Sequence, residues 1–451
     1  MRSYDLIVIG AGSGNMLFGP EFDGLSAAII ETDRFGGTCL NRGCIPSKMF
    51  VVAADAARGV GEAERLGVHA TLDRVDWPAI RDRVFGRIDP IHDQAVDYRR
   101  RSGVDVFTET ARFVAPRVLE VAGERLTAER IVVAVGSRPI VPKIPGLDGV
   151  PFHTSDTIMR IEEVPSSLLV IGGGFIAAEM GHVFGAFGAQ VAIVQRGPRL
   201  LMAEDDDVSA AFTQQASERF GVVVNAAVES VQANGRGVAV TVTVDGNRQV
   251  LEAEALLVAA GRQPNTDLLD AAAGGLALDV HGHVVADETY QTSVPGVWAL
   301  GDAANHFQLK HMANAEMRVV RHNLAHPESP MRLPMGLAPH AVFSDPQVAA
   351  VGLTEAQARQ RGIEHVVATR RYAETAYGWA LEDTTSFVKV LAEPSTRLLL
   401  GAHIIGPQAA TLLQPLLQAM MLGNTVDELA RGVLYVHPAL TEVLEQALLD
   451  L

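Results

Sequence analysis

Twice in this chain an apolar, strand-like run meets a cluster of glycines and then a helix-like stretch, a pattern that few folds accommodate. The first copy is Tyr4 to Ile9 followed by Gly10-Ala11-Gly12-Ser13-Gly14-Asn15; the second is Leu168 to Ile171 followed by Gly172-Gly173-Gly174-Phe175-Ile176-Ala177. Glycine permits a tight turn after a strand and lets backbone N–H groups approach a pyrophosphate at a helix N-terminus. After the first copy, the strand-like Ala27 to Ile30 ends in Glu31, and 31 − 10 = 21 is the spacing of a carboxylate that accepts from ribose hydroxyls. After the second, Val191 to Val194 ends in Gln195-Arg196, with Arg199 just beyond. That site lacks a carboxylate and offers guanidinium groups, which suits a 2′-phosphate and therefore NADPH over NADH. The competing reading of these arginines is solvated surface charge. The first copy departs from the pattern at Asn15, and Gly19-Pro20 interrupts the helix expected after it. The pair of fingerprints implies an α/β fold with two Rossmann-like dinucleotide-binding domains.

A chain of 451 residues exceeds what one core usually supports, so several domains are expected. Lys+Arg number 37 against 53 Asp+Glu, and 37 − 53 = −16 repels phosphate backbones and anionic lipid. Neither nucleic acid nor membrane is an expected partner. The weakly charged Leu168 to Val194 is too interrupted by glycines, Glu179, His182 and Gln190 to read as a membrane span. Met1 runs almost directly into the first strand, which leaves no room for a signal peptide, and a cytoplasmic location is expected.

Two cysteines occur, Cys39 and Cys44, in Gly36-Gly37-Thr38-Cys39-Leu40-Asn41-Arg42-Gly43-Cys44-Ile45-Pro46-Ser47-Lys48. A reducing compartment disfavours a structural bridge, so short a loop gains little from closure, and a metal site would need more ligands nearby. A redox pair and two buried thiols both remain. Further on, Thr292 to Ala303 reads as a buried strand ending in Gly301-Asp302, where an acid followed by backbone amides could position a ribityl chain or only cap a helix.

The glycine cluster, the cysteine loop, a second dinucleotide fold, Ala260-Gly261-Arg262-Gln263-Pro264-Asn265, Gly301-Asp302 and a terminal His437-Pro438-x-x-x-Glu442 occur in one order. That order resembles the flavoprotein pyridine nucleotide-disulfide oxidoreductases of class I, and the resemblance covers essentially the whole chain. It implies FAD and NADPH as cofactors and no metal. Cys44 matches the thiol beside the flavin and Cys39 the interchange thiol, with Lys48 and Glu179 as the ion pair at the flavin's reducing edge. Phe175 matches an aromatic gate over the nicotinamide pocket, and Met312-Ala313 begin a helix aimed at the flavin pyrimidine ring. The cofactor-binding positions implied are Gly10, Gly12, Gly14, Glu31, Gly37, Thr38, Lys48, Gly136, Gly172, Gly174, Phe175, Ile176, Glu179, Arg196, Arg199, Gly261, Gly301, Asp302, Met312 and Ala313.

His437 and Glu442 match the family's acid/base pair, which acts on the other subunit of a homodimer. A histidine that titrates near neutral pH suits thiolate chemistry, and a carboxylate fixes its tautomer. The implied substrate is a low-molecular-weight disulfide. The Gly-Ser-Gly-Asn opening most resembles the mycothione-reducing members, with glutathione disulfide and lipoamide as alternatives. The expected organisation is an FAD domain over 1–147, an NADPH domain over 148–262, a segment over 263–332 completing the FAD site, and an α+β interface domain over 333–451 whose apolar Thr411 to Leu422 faces the dimer partner. Arg42, between the cysteines, either lowers a thiolate pKa or faces solvent.

Overall fold

Each glycine cluster sits where a parallel strand ends. The computed structural model describes residues 1–333 and 337–451, so part of the start of the interface domain expected over 333–451 lies outside the described residues. Contacts divide the described residues between two units, one drawn from 1–47, 81–140 and 261–333, the other from 48–80, 141–260 and 337–451.

In the first unit four parallel strands run in the order Val104–Phe107, Ala27–Ile30, Arg2–Ile9, Glu124–Val133, and Val297–Ala299 pairs in parallel beside the last. Val118–Val121 and Ala111–Ala115 extend the sheet antiparallel. Arg2–Ile9 lies at the centre, and its side chains alternate between two cores. Ile7 and Ile9 pack with Phe113 and Leu276, while Leu6 and Val8 pack with Leu17, Phe35 and Val320. A strand covered on both faces must be a nearly unbroken apolar run, which is how this one reads.

The second unit repeats the parallel arrangement with Gly221–Val223, Gln190–Val194, Ser167–Ile171 and Ala255–Val258. Between the last two in sequence lies an antiparallel meander of Ala226–Asn234, Gly237–Val244 and Asn247–Ala253. Residues 48–80, which the sequence groups with the first domain, cluster here: Trp77 stacks on Phe50 with centroids 5.0 Å apart, lies 5.6 Å from Phe184, and donates from Nε1 to the Ile161 carbonyl at 2.9 Å. Towards the C-terminus five antiparallel strands run His340–Val342, Val348–Gly352, Leu399–Ile405, Phe387–Ala392, Val366–Arg371. The helices Ala409–Leu422 and Glu442–Leu449 share their core.

The stretch Thr411 to Leu422, expected to face a dimer partner, divides between the chain's own core and its surface. Leu412, Leu413, Leu416 and Leu417 fall on one stripe and are buried in this chain's own core, leaving Thr411, Gln414 and Gln418 outward. Exposed apolar side chains occur at its end, Met421 and Leu422, and farther on at Val433, Leu434 and Val436.

The two glycine turns are built alike. Gly10 N donates to Ile30 O at 2.8 Å and Ala134 N to Ile9 O at 2.8 Å; Gly172 N donates to Val194 O at 2.9 Å and Ala259 N to Ile171 O at 2.8 Å. Gly10 has φ +104° and Gly172 φ +120°, and a Cβ on either would collide with the carbonyl oxygen of Ala134 or Ala259. Only glycine fits either place.

Beyond the turns the two copies diverge. Phe175–Ala186 is a regular helix, whereas the first copy continues as two short 3₁₀ turns, Gly14–Leu17 and Pro20–Phe22. Arg99, only 9% exposed, donates from Nε to Asn15 Oδ1 at 2.7 Å and lies over the Phe18 ring at 4.9 Å. Arg321 binds the Glu21 carboxylate and fills the space where a side chain at Gly19 would go. The departure at Asn15 is thus held in place by two arginines distant in sequence.

Candidate active site

The cysteine loop is attached to the first glycine turn through backbone contacts that exclude side chains. Gly36 N donates to Ala11 O at 2.9 Å, and Gly37, at φ +62°, passes so near Gly12 that a Cβ would lie 2.8 Å from the Gly12 Cα. Thr38 and Cys39 then lie in a short helix, Gly37–Arg42; Gly43 breaks it, and Cys44 opens the long helix Cys44–Glu62. Cys39 and Cys44 are joined as a disulfide with Cα atoms 4.7 Å apart. Between them, buried Asn41 donates from Nδ2 to the Phe35 and Gly37 carbonyls, each at 3.0 Å, which fixes the loop from inside. Sequence reasoning passed over Asn41; a strongly polar amide enclosed by two cysteines was the available signal. The guanidinium of Arg42, between the cysteines, is paired with Asp33.

Glu31 stands at the end of its strand, where Oε2 accepts from Ala11 N at 2.7 Å and Oε1 from Asp33 N at 3.0 Å. Burial pushes its pKa up, opposed by the Ala11 hydrogen bond. Ribose hydroxyls donating to it would offset that cost, so the residue fits a nucleotide. Asp302 Oδ2 accepts from Ser137 Oγ at 2.6 Å, and Arg262 holds Ser137 through Oγ at 2.9 Å and the carbonyl at 2.7 Å. Neighbouring Gly136 and Gly261, at φ +66° and +112°, each turn the chain into one strand of the pair Ser137–Pro139 and Arg262–Pro264. Beneath, fully buried Glu316 accepts from Gly301 N at 2.6 Å and Asn305 Nδ2 at 2.7 Å, and burial pushes its pKa up to about 7.

The helix Lys310–Ala325 places Met312 and Ala313 inward in its first turn. Lys310 donates to Ser13 Oγ at 2.9 Å, and Ser13 Oγ donates to Asn314 Oδ1 at 3.1 Å. Within this unit, then, the first glycine turn, with Gly10, Gly12 and Gly14, is tied to both the disulfide loop and the Met312 helix. The Ser137 and Glu316 supports were not read from sequence, because nothing local marks them; Arg262 stands in the Ala260 to Asn265 motif, which does not disclose its hold on Ser137.

In the second unit Gly174 caps the helix that Phe175 and Ile176 begin, and Phe175 is 46% exposed. Gln195 is used within its turn, accepting from Arg196 N at 3.0 Å and donating to the Arg199 carbonyl at 3.3 Å. Arg199 is paired with Asp206 at 2.5 Å, whereas the exposed Arg196 side chain has no ion pair among the described residues. Of the two guanidiniums proposed for a 2′-phosphate, Arg196 is the uncommitted one. One turn into the helix, Glu179 is 4% exposed and holds Lys48 Nζ at 2.6 and 2.7 Å; Phe343 N donates to the same carboxylate at 3.0 Å, and its ring lies 4.7 Å from the ammonium.

His437 Nδ1 lies 2.7 Å from Glu442 Oε1, and Glu442 Oε2 accepts from Ala439 N at 3.3 Å. The hydrogen bond from His437 holds the Glu442 carboxyl below its usual range. With Nδ1 engaged, Nε2 is the atom left to exchange a proton. The His437 side chain is 71% exposed. A cavity of about 350 Å³ opens beside this turn, and its polar lining, Gln408, Thr411, Gln414, Gln418 and Thr441, is uncharged. The disulfide and the His437–Glu442 pair belong to different units.

Comparison with known proteins gives one consistent result. Residues 4–317 match the family model described as pyridine nucleotide-disulphide oxidoreductase, and residues 338–448 match the dimerisation domain of the same family. Mycothione reductase of Mycobacterium tuberculosis (strain ATCC 25618 / H37Rv) is 46% identical, with all of both chains covered. Mercuric reductase of Streptomyces lividans is 35% identical, covering 97% of this chain and 94% of that one. Dihydrolipoyl dehydrogenase of Halobacterium salinarum is 34% identical, covering 98% and 95%. Among solved structures, the HOCl-induced flavoprotein disulfide reductase RclA from Escherichia coli, as its Cu(II) complex, superposes with a TM-score of 0.87 at 26% identity over the whole of both chains.

Proposed function

Because the chain belongs to the pyridine nucleotide-disulphide oxidoreductase family, we propose that it reduces mycothione with NADPH, through FAD and the Cys39–Cys44 disulfide. The observation that carries the reading is that disulfide, fixed by Gly36 and Gly37 against a dinucleotide turn. FAD-binding residues are assigned to 1–147 and 263–332, NADPH-binding residues to 148–262 and dimer-forming residues to 333–451. The enzyme acts in the cytoplasm as a homodimer, whose partner covers the exposed Val433, Leu434 and Val436.

When bound, the flavin supplies two-electron transfer between the nicotinamide and a disulfide. The chain's residues do the rest. Glu31 and Asp302 orient the FAD ribose and ribityl hydroxyls, Arg196 takes the 2′-phosphate of NADPH, and Lys48 is held in place by Glu179. Two electrons open the Cys39–Cys44 bond to two thiolates. Cys39 Sγ attacks one sulfur of the substrate, a mixed disulfide forms, and the departing thiolate takes a proton from Nε2 of His437 of the partner subunit. Cys44 Sγ then attacks Cys39 Sγ, which restores the internal disulfide and releases the second half of the substrate as a thiolate that takes its proton from water. Glu442 holds the histidine in the tautomer with its Nδ1 proton on the carboxylate side.

Mycothione is favoured by the full-length likeness to a mycothione reductase. The test compares kcat/KM for mycothione, glutathione disulfide and lipoamide with NADPH in excess. Mycothione should lead by at least about tenfold, which asks for ~1.4 kcal/mol of differential transition-state binding. Equal or better turnover of either rival would overturn the substrate assignment. In the same assay Arg196→Glu should raise KM for NADPH far more than for NADH, and equal effects would remove Arg196 from the phosphate site.

A further inference from the structure

The helix that carries Glu179 carries a second buried hydrogen-bonding residue one turn later. His182 is 0% exposed and engaged at both ring nitrogens: Nε2 lies 2.7 Å from Asp55 Oδ1, and Nδ1 lies 3.2 Å from Arg219 NH2. A guanidinium only donates, so Nδ1 accepts and the ring proton sits on Nε2, facing Asp55. Asp55 lies seven residues past Lys48, two turns of the helix Cys44–Glu62, and so shares its face. Glu179 and His182, three apart on Phe175–Ala186, also share a face. Two parallel rungs therefore join these helices, Lys48–Glu179 and Asp55–His182. One segment closes both: Phe343 donates to Glu179, and Asp345 accepts from Arg58 and Arg219 at 3.1 Å each.

We propose that His182 is a positioning residue for the reductive half-reaction. The His182–Asp55 rung, with Arg219 and Asp345 behind it, fixes the register of the Cys44–Glu62 helix against the nucleotide helix, so that Lys48 Nζ stays on both oxygens of Glu179. This rests on the reading of Lys48–Glu179 as the ion pair that supports electron entry from NADPH. The physical need is clear from the lysine itself. Its ammonium is a single point charge at the end of a flexible four-carbon stem, one-third exposed, and that stem can follow a shift of one helix against the other without breaking the contact. A buried imidazole with both nitrogens satisfied has one orientation and supplies that constraint. Displacement of a catalytic group by about 1 Å can cost on the order of 100-fold in rate.

The test measures the two half-reactions separately by stopped flow on the FAD-loaded enzyme. His182→Leu, which removes both hydrogen bonds, should slow flavin reduction by NADPH by about tenfold or more and leave reoxidation by disulfide within about twofold. His182→Gln, whose amide can still donate towards Asp55, should recover most of the rate. Asp55→Ala should reproduce the loss; its side chain is 47% exposed, so this variant keeps the test available if His182→Leu does not fold. Combined with Glu179→Gln, either substitution should add little to the single loss. Equal slowing of both half-reactions, or full additivity with Glu179→Gln, would overturn the positioning role. If Glu179→Gln alone left flavin reduction unchanged, the assignment of the Lys48–Glu179 pair would fail instead.

Discussion

A Cys39→Ser chain is expected to bind FAD and to lose disulfide reduction by at least about 10³-fold in kcat. The reason is chemical: no hydroxyl substitutes for the thiolate that attacks substrate, and no internal disulfide remains to receive electrons. FAD should be retained, because the loop is held by Gly36, Gly37 and Asn41 rather than by the cysteine side chain. Cys44 remains, so a long-wavelength thiolate–flavin absorbance band should appear without reductant. The check is NADPH oxidation with mycothione alongside the visible spectrum. Normal turnover would show that the roles of the two cysteines are misassigned.

The second large effect is expected at His437. General acid–base catalysis by a positioned histidine contributes typically about 10²–10⁴-fold, and His437→Ala should lose an amount in that range while the spectrum is unchanged. The pair lies on the surface of its own unit, beside exposed Val433, Leu434 and Val436, as expected of a group that serves a second copy. Coexpression of a Cys39→Ser chain with a His437→Ala chain should therefore give heterodimers with one intact site and activity that neither homodimer has. Verified heterodimers without rescue would mean that each chain uses its own histidine.

What could be read in the sequence was set by local geometry. Gly10 and Gly172 are legible because each stands where a neighbouring carbonyl leaves no space for a Cβ, and the cysteines because a pair so closely spaced has few uses. In the apolar run at 411–422 periodicity reveals a buried stripe but not what buries it; the chain's own core covers Leu412, Leu413, Leu416 and Leu417. Illegible were the long-range supports. Arg99 reaches Asn15 across 84 positions, Ser137 reaches Asp302 across 165, and His182 reaches Asp55 across 127. No short-range pattern announces such pairs. The same holds for the two arginines at 196 and 199, equivalent in sequence but distinguished by the ion pair with Asp206.

The account depends on the Cys39–Cys44 disulfide exchanging electrons with the flavin, and an anaerobic dithionite titration of the FAD-loaded enzyme measures that directly. A flavin and a disulfide are each two-electron couples, so about four electrons per FAD should be taken up, with the long-wavelength band appearing after about the first two. The Cys39→Ser enzyme should take up about two. If the unsubstituted enzyme also stopped at about two and never showed the band, the disulfide would be outside the electron path and the proposed mechanism would be contradicted.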